Sequence, residues 1–212
     1  MYLVSTPWWL RALYPTLTWQ VDTLEKYIYL TFDDGPHETA TPFVLDTLKQ
    51  FDAKATFFCI GNNVRKHKDI YDRILLEGHS VGNHTYNHLN GWKTSDYNYI
   101  KDIVLTGEYV KSNLFRPPFG RIKRSQIKKL QVNDSRFSTE ESSMKIIMWS
   151  VLSGDFDTTI SGEDCLQNVI KNSKEGSIIV FHDSVKAWDR MQYALPKTLE
   201  YFSAKGYQFK GL

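Results

Sequence analysis

Short apolar runs rich in β-branched and aromatic residues alternate with stretches of helical periodicity about seven times along this chain. Few architectures accept that pattern, because strands joined by helical crossovers run parallel and need both faces covered. The expectation is an α/β fold, a mostly parallel sheet closed or nearly closed into a barrel. Strands are expected at Tyr27 to Phe32, Ala55 to Ile60, Ser80 to Asn83, Leu114 to Arg116, Lys145 to Trp149, Ser177 to Phe181 and near Tyr207 to Phe209. Between them, helices are expected after Thr41-Pro42, through Ile70, Ile74 and Leu75 up to Gly78, from Ser95 to Lys111, from Ser161 to Asn172, and from Pro196 to Ala204. Ile100, Ile103, Val104 and Val110 form the expected buried stripe of the third helix.

The 212 residues suit one domain with a substantial core. Residues 1–26 read as an arm packed on a domain that spans 27–212. The segment from Gln131 to Ser143, polar and serine-rich, reads as a mobile loop. A net charge of +2, from 26 basic and 24 acidic residues, is too small to make nucleic acid or an anionic membrane the main partner. The basic segment from Arg121 to Lys129 carries Ile122 and Ile127 among its charges, with Leu130 beyond them, and reads as the solvated side of a helix. Cys59, inside an apolar run, reads as a reduced packed thiol; the only other cysteine is Cys165. No secretory signal and no membrane-length apolar run is recognised, so the expected compartment is the cytoplasm, without stable membrane insertion. Trp8-Trp9-Leu10, with Leu13 and Tyr14, has the character of a membrane-surface segment, but packing onto the domain is the expected account.

In a parallel barrel the carboxyl ends of all strands share one rim. Asp33-Asp34 ends the first strand, and Gly35-Pro36 stops it. Two adjacent buried acids repel, so they need a cation or a shared proton. A divalent metal on one acid, with the other beside its water, satisfies them. His84-Thr85-Tyr86-Asn87-His88 follows the third strand, Arg116-Pro117-Pro118-Phe119-Gly120 the fourth, Asp155 lies beyond Trp149, and His182 closes Ile178-Ile179-Val180-Phe181. Histidines four apart on a helical turn face the same way, and with one carboxylate they leave a position open for water, as catalytic zinc sites do.

These stretches, taken in order, resemble the five motifs of the NodB-homology polysaccharide deacetylases, carbohydrate esterase family four: Thr31-Phe32-Asp33-Asp34-Gly35-Pro36, His84-Thr85-x-x-His88, Arg116-x-Pro118-Phe119-Gly120, Trp149 to Phe156, and Ile178-x-Val180-x-His182. The resemblance implies a distorted (β/α) barrel, usually of seven strands, and metal-dependent removal of acetyl groups from N-acetylated sugars. It implies Asp34, His84 and His88 as metal ligands and Asp33 as general base, with Arg116 keeping Asp33 ionised. It further implies the Phe119 backbone N–H as oxyanion donor and His182 as the acid that protonates the departing amine, oriented by Asp155. Zinc is the first choice for such a ligand set, with cobalt or nickel also suited. The fourth motif departs from the usual Asp-x-x-Asp-Trp: Leu152 stands at the first acid and Phe156 at the tryptophan. The expected substrate is an N-acetylhexosamine-containing saccharide, polymeric or a cytoplasmic-side precursor. The rivals are hydrolysis of a cyclic imide or other amide at the same site, and a non-catalytic carbohydrate-binding module using Trp92, Trp149 and Trp188.

Overall fold

A computed structural model describes residues 2–131 and 143–212; the expected mobile loop lies almost wholly outside them. In chain order the elements are α1 (Trp8–Leu13), β1 (Tyr27–Asp33), α2 (Ala40–Gln50), β2 (Ala55–Cys59), α3 (Gly61–Lys66), α4 (Lys68–Leu76), β3 (Ser80–Asn83), α5 (Asp96–Thr106) and β4 (Leu114–Phe115). They continue with α6 (Arg124–Gln131), β5 (Lys145–Ile146), β6 (Val151–Leu152), α7 (Gly162–Asn172), β7 (Ile178–His182), α8 (Trp188–Ala204) and β8 (Gln208–Phe209). The sheet order is β5-β4-β3-β2-β1-β7-β6, every named pairing is parallel, and β8 adds to β1.

The two ends of that order are neighbours in sequence, and this closes the sheet. β5 pairs with β4 while β6 pairs with β7, so residues 147–150 carry the chain from one edge to the other. Ile147 donates its N–H to Phe115, and Ser150 donates to Ile178. Between these bonds the sheet has a seam, and the arm covers it. Thr18 exchanges hydrogen bonds with Ile146 and Met148, Thr6 donates to Ser150, and Leu152 donates to Val4.

Strand alternation then assigns two environments. On β1, Ile28, Leu30 and Phe32 join Val44, Leu45 and Leu48 of α2 and Leu195 and Leu199 of α8 in the layer between sheet and helices. Tyr29, Thr31 and Asp33 face the other way, into a narrow interior with Phe58, Ile147 and Ile178. A second outer core, built from α5, α6 and the arm, includes Tyr99, Ile103, Ile127, Leu17 and Trp19.

Several sequence expectations shift. α5 stops at Thr106 and leaves Val104 exposed, because Ile100 and Ile103 with Tyr99 already fill its inner face. α8 begins at Trp188, so Pro196 lies inside the helix and not at its start. α3 and β6 lie where loops were expected. α7 follows its cap, with Ser161 and Asp164 forming a reciprocal capping box. Both cysteines are free and buried. No described helix is long and apolar enough to cross a membrane.

Candidate active site

The carboxyl end of β1 carries Asp33 in register with His182 of β7, so parallel pairing alone sets these two side by side. Asp33 points inward and is buried; its Oδ1 accepts from Arg116 Nη1 at 2.8 Å. The Arg116 guanidinium is itself fully buried and also donates to Thr31 Oγ1 at 2.6 Å and to the carbonyls of Ile147 at 3.2 Å and Met148 at 2.9 Å. It lies over the Phe58 ring, 4.1 Å from the centroid. Arg116 therefore connects β1 to the seam while holding the Asp33 carboxylate.

Asp34 follows with φ 82°, which turns its carboxylate away from the strand and toward the histidines. Asp183 braces this turn: its Oδ1 accepts from the Gly35 N–H and its Oδ2 from the Thr41 hydroxyl. A Cβ at Gly35 would stand 2.0 Å from Asp183 Oδ2, so only glycine fits there. Burial pushes the Asp183 carboxyl up to about 8 against the Thr41 hydrogen bond.

His84 and His88 converge, but on a non-helical turn. Thr85 and His88 both have positive φ, at 62° and 56°, and so bring together two rings that the spacing placed on a helix. Asp102 of α5 holds that turn, accepting from the N–H groups of Tyr86 and Asn87 and from the Asn87 side-chain amide. His84 Nδ1 donates to the Arg116 carbonyl at 2.8 Å, and since a carbonyl only accepts, the Nε2 lone pair faces the site. Burial lowers the His84 pKa to about 4, which keeps the ring neutral.

One ligand atom from each of Asp34, His84 and His88 lies within 4.8 Å of the other two. Asp34 Oδ1 is buried without a hydrogen bond among the described residues, 3.6 Å from His84 Nε2 and 3.2 Å from His88 Nε2. A lone pair aimed at a bare carboxylate oxygen is unfavourable unless a cation lies between them. Two imidazoles and a carboxylate suit zinc, and also cobalt or nickel, so the residues fit a divalent ion. Burial opposes ionisation of Asp34, but contact with His88 and the positive charge of His182 hold its pKa well below the ordinary carboxylate range.

On the other flank, Asp155 grips His182 twice, with Oδ1 against ring Nδ1 at 2.7 Å and Oδ2 against the backbone N–H at 2.6 Å. Arg190 Nε donates to the Asp155 carbonyl and fixes the acid in turn. Burial works against charge on His182, yet the Asp155 carboxylate outweighs it, with Asp34 and Asp33 adding to the effect, and the pKa is pushed up to about 10.

All eight expected site residues meet on this rim. Phe119, at φ 60°, sets its ring at a tilt against that of His88, with centroids 4.5 Å apart. Gly120 follows at φ 65°, where a Cβ would strike Trp149 Cη2 at 2.5 Å. The rim borders a cleft of about 780 Å³ whose walls include Trp92, Trp149, Leu152, Phe156, Lys186 and the arm residues Leu3, Leu13 and Tyr14. Trp188 is elsewhere, edge-on to Phe43 between α8 and α2, and so is not part of an aromatic rim. Asp102 was invisible in the sequence, because an acid within a helical pattern reads as solvent-facing and its partners are backbone groups of a distant turn. Asp102→Ala is expected to weaken zinc binding about 10–100-fold, as loss of outer-shell support does. Calorimetric titration of the apoprotein with zinc checks this, and unchanged affinity contradicts it.

The family model described as Polysaccharide deacetylase matches residues 20–136. A Bacillus cereus protein named peptidoglycan-N-acetylglucosamine deacetylase is 38% identical over 208 residues, covering 94% of this chain and 93% of that one. A chitooligosaccharide deacetylase of Azorhizobium caulinodans is 31% identical, covering 75% of this chain and 74% of that one. Among solved structures, a peptidoglycan N-acetylglucosamine deacetylase in complex with 4-naphthalen-1-yl-N-oxidanyl-benzamide superposes with a TM-score of 0.82 at 32% identity, over 98% of this chain and 95% of that one. With the curled parallel sheet and the rim motifs in place, the chain belongs to the polysaccharide deacetylase family, the NodB-homology esterases of carbohydrate esterase family four, which hydrolyse carbon–nitrogen bonds other than peptide bonds.

Proposed function

We propose that the cleft removes the acetyl group from an N-acetylhexosamine unit of a saccharide, with water and the amide giving acetate and a free amine. The observation that carries this reading is the convergence, in one cleft, of a metal-type triad, an Arg116-clamped Asp33 and an Asp155-clamped His182. The similar proteins carry names for deacetylation of peptidoglycan and of chitooligosaccharides, and the cleft of about 780 Å³ offers room for more than one sugar ring.

Asp34, His84 and His88 would hold the ion, zinc by preference. A divalent ion there supplies Lewis acidity, lowering the pKa of water and polarising the amide carbonyl. Asp33 takes the proton from the attacking water, and the buried guanidinium of Arg116, 2.8 Å from its Oδ1, holds the carboxylate in place for that task. The Phe119 backbone N–H donates to the negative oxygen of the tetrahedral carbon. His182 gives its proton to the departing nitrogen, which otherwise leaves as an unstable anion. Leu152 and Phe156 make the wall beside His182 more apolar than the usual motif does and shape which sugars fit, without touching these proton transfers.

The test is acetate release from N-acetylglucosamine oligomers and from peptidoglycan fragments by zinc-loaded protein. Turnover of cyclic imides alone would overturn the saccharide reading. A pH profile separates the roles further. With His182 raised to about 10, kcat should hold through neutral pH and fall only as the pH climbs toward that value and the acid loses its proton. Asp155→Asn removes the carboxylate that raises it and should move the alkaline limb to lower pH; an unmoved limb contradicts the role of His182 as acid.

A further inference from the structure

The arm buries only part of its apolar surface. Leu10 and Tyr14 pack beside Leu17, Trp19 and the inner side of α6, whereas Trp8 and Trp9 on α1 are 79% and 53% exposed and Leu3 and Leu13 are 57% and 50% exposed. Packing onto the domain thus accounts for the arm but not for its tryptophans. Isolated exposed hydrophobics are ordinary, but four large ones between residues 3 and 13 of one arm are a concentration that its packing leaves unexplained.

At the Tyr14–Thr16 end of the arm runs α6, which turns Ile127 and Leu130 inward and leaves Arg124 and Lys128 exposed, with Lys129 paired to Asp96 at 3.1 Å. The Arg124 guanidinium lies 5.4 Å from the Tyr14 ring centroid, and the Gln131 amide donates to the Thr16 carbonyl at 2.9 Å, so arm and basic helix are direct neighbours. Arg121, just ahead of α6, sits 5.3 Å from the ring centroid of the exposed Trp92. Two stretches that carry little weight singly, a Trp-Trp-Leu segment and a basic run, are adjacent in the fold.

We propose that this face docks on an anionic lipid bilayer, with Trp8, Trp9, Leu3 and Leu13 settling at the headgroup boundary and the cations of α6 against acidic headgroups. Tryptophan beside aliphatic side chains, flanked by lysine and arginine, is the composition that partitions into a bilayer interface. Charge complementarity selects an anionic surface over a second copy of the chain, since a two-fold pairing of this face would bring the cations of both α6 helices together. Leucines at positions 3 and 13 offer no ring for base stacking, which favours lipid over nucleic acid. The overall charge of +2 is no obstacle, because attraction to a surface depends on local charge within a Debye length. Leu3, Leu13 and Tyr14 also line the cleft, so docking would bring its mouth to the membrane surface. This inference stands independently of the deacetylase reading.

Sedimentation of the zinc-loaded full chain with vesicles of phosphatidylglycerol and phosphatidylcholine, against phosphatidylcholine alone, tests it. Binding is expected on the anionic vesicles and should weaken with salt. Trp8→Ser/Trp9→Ser should lower vesicle affinity about tenfold or more through lost apolar burial, and Arg124→Gln/Lys128→Gln about tenfold or more through lost headgroup attraction. None of these four residues lines the cleft, so both variants should keep wild-type rates on soluble substrate. Failure to sediment with anionic vesicles overturns the proposal. So does undiminished sedimentation of the tryptophan variant, or heparin binding that competes with vesicles and is equal in wild type and that variant, which would mark a general polyanion site.

Discussion

An Asp33→Asn variant is expected to release acetate about 10²–10⁴-fold more slowly than wild type, the usual contribution of a positioned general base, and to take up zinc as before. The two halves of that result are separable because Asp33 and Asp34, adjacent in sequence, point to different partners. Asp33 faces Arg116 in the interior, and Asp34 turns at positive φ toward the histidines. Asparagine keeps the shape and can still accept from Arg116 through its carbonyl oxygen, so the fold tolerates it, but it takes no proton. Steady-state acetate release and metal content of the same preparation read both halves. A rate within threefold of wild type removes Asp33 as the base.

Arg116→Met is expected to lower the unfolding free energy by about 3–5 kcal/mol, the scale for removing one partner of a buried ion pair. Methionine retains much of the volume, so the loss comes from bonds more than from a cavity. Asp33 would be left buried without its counter-charge, and the carbonyls of Ile147 and Met148 would lose their donors at the point where the sheet crosses from β5 to β6. Urea unfolding measures the loss. The double variant Arg116→Met/Asp33→Asn should recover part of it, because the stranded charge is then gone while the seam remains untied. A loss under about 1 kcal/mol would mean that the pair matters little to the fold.

The rim was legible in the sequence because its strands announce themselves. β1 and β7 are apolar runs that end abruptly in Asp33-Asp34 and His182, and parallel pairing leaves those ends nowhere to go but one side. The seam was not legible: Lys145 to Leu152 reads as one strand and a loop, and only the sheet partners on either side reveal a single run that changes edges. α3 leaves no helical signature in the sequence, because only Gly61 and Val64 on it are buried, too few for a stripe. Pro196 suggested a helix start, since proline favours the first turn, but the buried Met191 and Ala194 hold the preceding turns together. The spacing of His84 and His88 anticipates two converging rings but on a helical turn, whereas positive φ at Thr85 and His88 brings them together, a tertiary constraint imposed through Asp102.

The central claim is that Asp34, His84 and His88 share one divalent ion. Titration of metal-free protein with zinc, followed by calorimetry and elemental analysis, tests it most directly. About one ion should bind per chain, as for a single three-ligand site, with binding lost in Asp34→Ala and His84→Ala. A wild-type chain that takes up no zinc, cobalt or nickel, or alanine variants that bind zinc as tightly as wild type, would contradict the account.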